Sequence, residues 1–187
     1  MPPKVKVTKE DIIRAAVEIV RREGHQALNA RTVAAALNCS TQPVFSNFSG
    51  MDALRMAVVE RADAMCQEYI DREIASGRYP SYKASGMAYI RFAKEEKELF
   101  RLLYMRDRKG ENVPQEEELN DQMANLVHQF TGLSGEDVKL FHLEMWAYVH
   151  GIASMYATGF LDLEWELVSK MITDVFQGLR KQYGMGE

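Results

Sequence analysis

The sequence predicts an all-α protein with an N-terminal three-helix head and a C-terminal helical bundle, about nine helices in all. Apolar residues recur at helical spacing along most of the chain, helix-capping signatures precede several of these stretches, and no segment has the alternating pattern of a strand. With 187 residues, 47% of them hydrophobic, the chain is long enough for a small head and a larger body, each with a core.

The first helix is predicted to begin at a capping box, Thr8-Lys9-Glu10-Asp11, whose side chains bind the free backbone N–H groups of a helix start. Gly24 is the expected stop, because glycine tolerates the backbone conformation that ends a helix. The apolar stripe between them consists of Ile12, Ala16, Ile19 and Val20. The residues before Thr8, which include Lys4 and Lys6, are expected to form a short basic arm.

Residues 29–48, NARTVAAALNCSTQPVFSNF, predict two short helices joined by a tight turn. Asn29 is expected to cap the first helix, and Asn38 suits the left-handed backbone of the turn. Ser40 is expected to cap the second helix, with Pro43 in its first turn, where the missing N–H is harmless. This arrangement is typical of a helix-turn-helix motif.

The second of these helices has an inward and an outward face. The apolar residues predicted to face inward are Val44, Phe45 and Phe48. The polar residues predicted to face outward are Thr41, Gln42, Ser46 and Asn47. In a helix-turn-helix such residues meet base edges in the major groove, where Gln can pair with adenine. A plain helical hairpin with a solvated polar face explains the same residues equally well, so the motif alone leaves both interpretations open.

The remaining residues predict the helical body. A second capping box at residues 49–52 opens a long helix that runs to about Ile74, and Gly77 and Pro80 end it. Residues 106–112 have the composition of a charged loop, and residues 116–118 place three Glu near the start of a helix. Further helices are expected over 81–94, over 95–107, from Pro114 to about Phe130, from a third capping box at 134–137 to Thr158 with Gly159 as stop, and over about 163–182.

Residues 12–58 resemble the TetR-type transcriptional regulators in the spacing of small, apolar and aromatic positions. These positions are Ala15, Ala16, Gly24, Val33, Ala34, Phe45, Phe48 and Leu54. Residues 92–105 and 146–159 are similar to the C-terminal domain of a TetR subgroup named for a Trp…His-Gly signature. In this chain the signature consists of Trp146, His150 and Gly151. The resemblance implies a DNA-binding domain over residues 1–48 and a ligand-binding and dimerisation domain over residues 49–187.

The implied DNA partner is a double-stranded palindromic operator. The predicted contact residues are Lys4, Lys6, Arg31, Ser40, Thr41, Gln42, Pro43, Phe45, Ser46, Asn47 and Met51. The family usually has Tyr at the position of Phe45 and often Lys at the position of Met51, whereas residues 38–54 of this chain contain no Lys or Arg. Because neutralised phosphates provide much of the salt-dependent affinity of such proteins, we expect a shallow salt dependence.

The body is expected to bind a small molecule and a second copy of the chain. The predicted ligand-binding residues, which would form an aromatic and adaptable lining, are Tyr89, Phe92, Phe100, Tyr104, Met105, Trp146 and His150. His142 and His150 are expected to hold a polar ligand group or to titrate. The predicted dimer contacts on the last two helices are Gly151, Met155, Ile172, Phe176 and Leu179. For each single residue a place in the monomer core is the alternative.

Charge and cysteine usage point to a cytoplasmic protein. Residues 1–50 contain seven Lys and Arg against four Asp and Glu, and residues 51–187 contain 16 against 23, so a basic head precedes an acidic body. Cys39 and Cys66 are expected to be reduced thiols. The N-terminus lacks the apolar stretch of a signal peptide, and no apolar run reaches membrane-spanning length.

Motifs of enzymes and of metal or cofactor sites are missing from the sequence. It contains no GxSxG, P-loop, GxGxxG, HExxH or paired Glu-x-x-His pattern. We therefore expect a sequence-specific regulator without catalytic activity, cofactor or metal, acting as a repressor that a small-molecule ligand releases. One alternative is a helical small-molecule carrier or sensor with a weakened DNA-binding head; another is an enzyme built on a helical bundle.

Overall fold

The structure, a computed structural model, describes residues 7–106 and 121–185. In these residues all regular elements are helical, which confirms the predicted fold class. The α-helices are α1 (Lys9–Glu23), α2 (Ala30–Ala36), α3 (Gln42–Asn47), α4 (Met51–Ala75), α5 (Ser81–Glu95), α6 (Lys97–Tyr104), α7 (Asp121–Thr131), α8 (Glu136–Thr158) and α9 (Trp165–Gln182), with a short 3-10 helix at His25–Ala27. Within the described part, none of the helices is both long and apolar enough to cross a lipid bilayer.

Local capping signals place several helix ends where the sequence predicts them. The Thr8 hydroxyl accepts a hydrogen bond from the Asp11 N–H, and the Asp11 carboxylate accepts one from the Thr8 N–H, each 3.1 Å long. The Asn29 side chain accepts from two N–H groups at the start of α2. Gly24 and Gly159, the predicted stops, both have positive φ, at 81° and 70°. These ends depend only on neighbouring residues, and all of these predictions are confirmed.

Two other predicted caps are wrong. Thr41, and not Ser40, precedes α3, and its helical backbone (φ −71°, ψ −13°) differs from the extended conformation in which a side chain folds back onto the next turn. Gly135, and not Ser134, precedes α8, and a glycine has no side chain that could cap the helix. Both helices therefore begin without the predicted side-chain hydrogen bond.

Part of the predicted body lies outside the described residues. This applies to the loop after Arg106 and to the helix start at Pro114 with the three glutamates at 116–118. The described part of that helix, α7, ends at Thr131, one residue beyond its predicted end. The helix bounds elsewhere agree with the predictions to within about three residues, as expected for sequence-based boundaries.

The chain divides into two compact units. Unit 1 comprises the described residues up to Cys66 together with Glu96–Arg106, and unit 2 comprises Gln67–Glu95 and the described residues after Arg106. In unit 1, α1 packs against α2, α3 and α6. In unit 2, α5 packs mainly against α8 and also against α7 and α9. The predicted functional boundary after residue 48 stays a prediction, because packing units and functional domains need not coincide.

Unit 1 closes around aliphatic and aromatic side chains from all of its helices. The Arg21 guanidinium also binds the Glu96 carboxylate through two hydrogen bonds of 2.7 and 3.1 Å, which join α1 to α6. The fully buried residues of this core include Ile12, Val20, Val33, Val44, Leu54, Val58, Leu99 and Phe100. This core holds the helix-turn-helix in place.

Candidate functional site

The turn between α2 and α3 has the backbone of a helix-turn-helix. Asn38 has φ of 50°, which makes it the one non-glycine residue of the described chain with positive φ. The Cys39 N–H donates to the Ala34 carbonyl over 3.0 Å, which closes the end of α2. Asn tolerates this left-handed conformation better than most residues. The predicted role of Asn38 is therefore confirmed.

The orientation of α3 is set by two apolar side chains that pack beneath it. Val44 on the helix and Phe48 at its C-terminal cap are buried, as predicted. Phe45, which was also predicted to face inward, is 55% exposed, and that prediction is wrong. Val44 faces the core, and residue 45 points about 100° away from it around the helix axis, so the two side chains do not face inward together.

The exposed face of α3 carries the predicted polar residues. Gln42, Ser46 and Asn47 are exposed, and Thr41 and Pro43 are half-buried. The Ser46 hydroxyl donates to the Gln42 carbonyl over 2.9 Å, and the Asn47 amide donates to the Pro43 carbonyl over 2.8 Å. Both side chains thus commit a donor to their own helix. Phe45 precedes them in the sequence and is the large hydrophobic residue that this helix exposes.

Positive charge lies around this face and not on it. Arg31 on α2 is exposed, and the Lys9 ammonium lies 5.3 Å from the centre of the Phe48 ring. Ser40 is exposed in the turn, and Met51 is half-buried at the start of α4. The predicted contacts Lys4 and Lys6 lie outside the described residues.

The structure divides the predicted ligand-binding residues between the two units. In unit 1, Phe100 is fully buried with its ring 5.0 Å from that of Tyr104, and Met105 is exposed. In unit 2, Phe92 is fully buried and meets Tyr69 edge to face at 5.4 Å. The two phenylalanines therefore lie in cores, which is the alternative that the sequence left open.

The Trp…His-Gly residues and Tyr89 form a contiguous group in unit 2. The Tyr89 hydroxyl and His150 Nδ1 share a hydrogen bond of 2.9 Å, and the His150 ring stacks on Trp146 at 4.8 Å with an interplanar angle of 19°. Burial lowers the pKa of His150. The Trp146 ring is 40% exposed, so this group reaches the surface of α8.

A second Tyr–His pair repeats this arrangement about two helical turns away. The Tyr82 hydroxyl and His142 Nδ1 share a hydrogen bond of 3.1 Å, again between α5 and α8. Burial lowers the pKa of His142 to about 4. Sequence analysis did not pair these residues, because spacing within each helix says nothing about the register between two helices. The similar intervals between the two tyrosines and between the two histidines, seven and eight residues, are the signal of this pairing in the sequence.

Glu73 marks another polar group inside unit 2 that sequence analysis missed. Its carboxylate is buried and has the guanidinium groups of Arg78 and Arg91 at 3.7 Å. The Arg91 guanidinium also lies 5.0 Å from the centre of the Trp165 ring.

An open surface depression of about 830 Å³ lies on α7. It is lined by Asn125, Leu126, His128 and Gln129, none of them a predicted ligand-binding residue.

The predicted dimer residues differ in how much surface they present. Ile172 is 2% exposed and so is part of the protomer core. Met155 is exposed, Phe176 and Leu179 are half-buried, and a Cβ atom on Gly151 would meet no neighbouring atom within 4 Å. The same face of α8 exposes two further leucines, Leu140 and Leu143.

The two thiols of the chain are both unpaired and differ in burial. Cys39 is a half-buried free thiol and Cys66 is a buried one, and burial raises the pKa of Cys66 to about 12. Among the residues that the structure describes, no three His, Cys, Asp or Glu side chains are grouped closely enough to share a metal ion.

Comparison with known structures supports the fold along nearly the whole chain. A TetR-like transcriptional regulator from Rhodococcus sp. RHA1 matches with a TM-score of 0.65 and 15% identity over 100% of both chains. A protein of unknown function from the same organism matches with a TM-score of 0.74 and 21% identity over 94% of this chain and 96% of its own. A candidate transcriptional regulator from Pseudomonas aeruginosa PAO1 matches with a TM-score of 0.68 and 14% identity over 92% and 90% of the two chains.

The family follows from the sequence of the C-terminal half. No curated protein sequence matches the chain. The family model described as the tetracyclin repressor-like C-terminal domain matches residues 82–175, which is half of the chain. Regulators of this family are non-enzymatic DNA-binding proteins. The chain therefore belongs to the TetR-like family of transcriptional regulators.

Proposed function

We propose that this protein is a homodimeric repressor that binds a palindromic operator through α3 and leaves it when a small molecule binds the C-terminal domain. The observation that carries this proposal is the exposed face of α3, where Gln42, Phe45 and Ser46 project from a helix that Val44 and Phe48 anchor. A helix held from below and exposed above suits insertion into the major groove, which is wide enough to admit it.

The charges around α3 favour specific contacts over strong electrostatic attraction. No Lys or Arg occurs at residues 38–54. Exposed cations elsewhere in unit 1 include Lys9, Arg14, Arg31 and Arg55. Each neutralised phosphate steepens the dependence of affinity on salt, so few such contacts leave it shallow. Base-edge contacts of the α3 face would then provide a larger share of the specificity.

The exposed apolar stripe of α8 supports the homodimer. Leu140, Leu143 and Met155 all face solvent in the single protomer, and Gly151 leaves room for close approach of another helix. A two-fold axis between such faces would present two copies of α3 to successive major grooves of a palindrome.

A group of aromatic and polar side chains in unit 2 supports a ligand-responsive role. Tyr89, Trp146 and His150 combine a ring stack with a hydrogen bond, a combination that can bind an aromatic or polar small molecule. In one conformation of the dimer, the two DNA-binding domains would have a spacing that does not fit the operator. A ligand that binds this conformation more tightly would increase its population and so release the protein from DNA. We place this regulation in the cytoplasm.

Selection of bound duplexes from random DNA with the full chain tests the DNA-binding proposal. We expect an inverted repeat whose half-sites lie about one helical turn apart. Failure to enrich any sequence at low salt would contradict the proposal.

Variants of two exposed glutamines sharpen that selection. Gln42→Ala is expected to relax the preference at one base pair per half-site, by about 1–3 kcal/mol if the amide pairs with a base. The matched control is Gln129→Ala, which alters an exposed glutamine of α7. An unchanged base preference in Gln42→Ala would show that this residue does not recognise a base.

Sedimentation of a glycine variant tests the dimer. A side chain added at Gly151 begins in open space in the single protomer, because nothing lies within 4 Å of its Cβ position, whereas a leucine there would obstruct a second α8 packed against it. We expect this variant to be a folded monomer. Asp71→Leu, which adds the same side chain to an exposed site on α4, is the control and should leave the dimer intact. A Gly151→Leu dimer as stable as that of the unmodified chain would contradict this interface.

A carrier or sensor without DNA binding is the second candidate function. The absence of Lys and Arg at residues 38–54 favours it. The two candidates differ in one measurement: a carrier would bind small molecules while enriching no DNA sequence.

A further inference from the structure

We propose that Phe45 reads the C5-methyl groups of thymines, so that operator specificity rests partly on apolar contact. This inference rests on the proposed function, in which α3 enters the major groove. It adds the role of one side chain and the chemical group that this side chain recognises.

The first step is the position of the ring. Phe45 is 55% exposed, while Val44 and Phe48 on either side of it are buried. Its side chain therefore adds little to the core of unit 1. A large aromatic side chain projecting from a short helix between polar residues presents apolar area that a partner can cover.

The second step is the chemistry of the surrounding face. The Ser46 hydroxyl donates to the Gln42 carbonyl, and the Asn47 amide donates to the Pro43 carbonyl. Hydrogen-bond donation from this face is thereby reduced, and no Lys or Arg occurs in residues 38–54 to bind guanine or phosphate. What this face offers in addition is the exposed apolar ring of Phe45.

The third step is the matching chemistry of DNA. The C5-methyl of thymine is the apolar group that base edges display in the major groove, and Phe is among the side chains that contact it. A phenylalanine also lacks the hydroxyl with which a tyrosine could bind a phosphate oxygen. The geometry thus points to contact with base edges and not with the backbone.

The test uses the operator obtained by selection with the full chain. Each thymine of one half-site is replaced in turn by deoxyuridine, which removes only the methyl group and keeps base pairing. At one or two positions we expect about fourfold weaker binding per methyl removed, because the duplex loses the gain from burying one such group against the ring.

A Phe45→Ala variant tests whether the methyl effect depends on this ring. It should bind thymine and deoxyuridine duplexes equally, whereas Phe45→Tyr, which keeps the ring, should still discriminate. Because Phe45 is exposed, both variants should match the thermal unfolding of the unmodified chain.

The outcomes separate this inference from the proposed function. Tight, sequence-specific binding that no deoxyuridine substitution weakens, or a selected half-site without thymine, would overturn the role of Phe45 and leave DNA binding intact. Methyl discrimination that persists in Phe45→Ala would assign it to another residue. Failure to select any DNA would overturn the proposed function together with this inference.

Discussion

Unit 1, which carries the helix-turn-helix, and unit 2, which carries most of the C-terminal domain, bury different kinds of side chain. Among the described residues, two buried side chains are charged or carry an aliphatic hydroxyl group. They are Glu73 and Ser85, and both belong to unit 2. So do the two Tyr–His pairs, whereas the core of unit 1 consists of aliphatic, aromatic and thiol groups.

This difference in core composition fits the different roles that we propose for the two units. An apolar core is tightly packed and has few alternative arrangements, which suits a unit that presents a helix in a fixed orientation. A buried polar group is costly unless it is paired, so a molecule that offers better partners can change the structure around it. In the proposed function, the polar interior of unit 2 is the part on which the ligand acts.

The largest expected effect is in the core of unit 1. Phe100→Ala should lower the free energy of unfolding by about 3–5 kcal/mol, because the ring is fully buried and packs on Tyr104. Urea unfolding measures it, and Phe45→Ala, which truncates an exposed phenylalanine of the same unit, should cost less than about 0.5 kcal/mol. A small loss in Phe100→Ala would mean that this residue lines a cavity, as the sequence predicts.

The second effect is a pH dependence specific to unit 2. Because burial lowers the pKa of His142 from 6.5 to about 4 in the folded chain, the unfolded chain takes up the proton first as the pH falls. The free energy of unfolding is therefore highest above the pKa that His142 has in the unfolded chain. It falls on acidification, by about 2 kcal/mol between about pH 7 and pH 5.

A histidine variant isolates this contribution. His142→Gln should remove most of that pH dependence in urea unfolding at the two pH values. His128→Gln removes an exposed histidine from α7 and should leave the dependence unchanged. If the free energy of unfolding depends on pH equally in His142→Gln and in the unmodified chain, His142 does not cause this dependence.

The third effect concerns the ion pair that joins α1 to α6 in unit 1. Glu96→Gln should cost about 1–2 kcal/mol, because it removes the charge from a two-bond pair with Arg21 whose carboxylate is largely shielded from solvent. Glu18→Gln removes the charge from the exposed partner of the same arginine and should cost less than about 0.5 kcal/mol. Equal losses in the two variants would contradict the importance of the α1–α6 contact.

The smallest effect compares two helix caps. Thr8→Ala should destabilise the chain by about 0.5–1 kcal/mol, because its hydroxyl caps α1. Ser134→Ala should change stability by less than about 0.5 kcal/mol, because α8 begins at Gly135 without a side-chain cap. Thermal unfolding of both variants measures the difference, and a larger loss in Ser134→Ala would reverse this assignment.

Short-range signals explain why much of the fold was predictable. Thr8, Asn29, Asn38 and Gly24 act on backbone groups within four residues, so the sequence around each one is enough to predict its role. The failures at Ser40 and Ser134 share a cause. A cap requires a particular backbone conformation as well as a suitable side chain, and that conformation depends on where the helix packs.

The candidate site was predictable in composition but less so in orientation. Six residues are too few for apolar spacing to define one face of α3, so Phe45 was assigned inward although Val44 and Phe48 alone anchor the helix. Phe92 and Phe100 have the spacing expected of a pocket lining and of a core alike, and only packing shows that both are buried.

By itself, the sequence determined the all-helical class, the helix-turn-helix with its left-handed Asn38, and the family resemblance, because these follow from periodicity and from local backbone chemistry. Only the tertiary structure decided that α6 packs with the head, that Tyr82 and Tyr89 meet His142 and His150, and that Phe45 is exposed. Those features depend on the register and rotation of one helix against another, which side chains distant in the chain determine together.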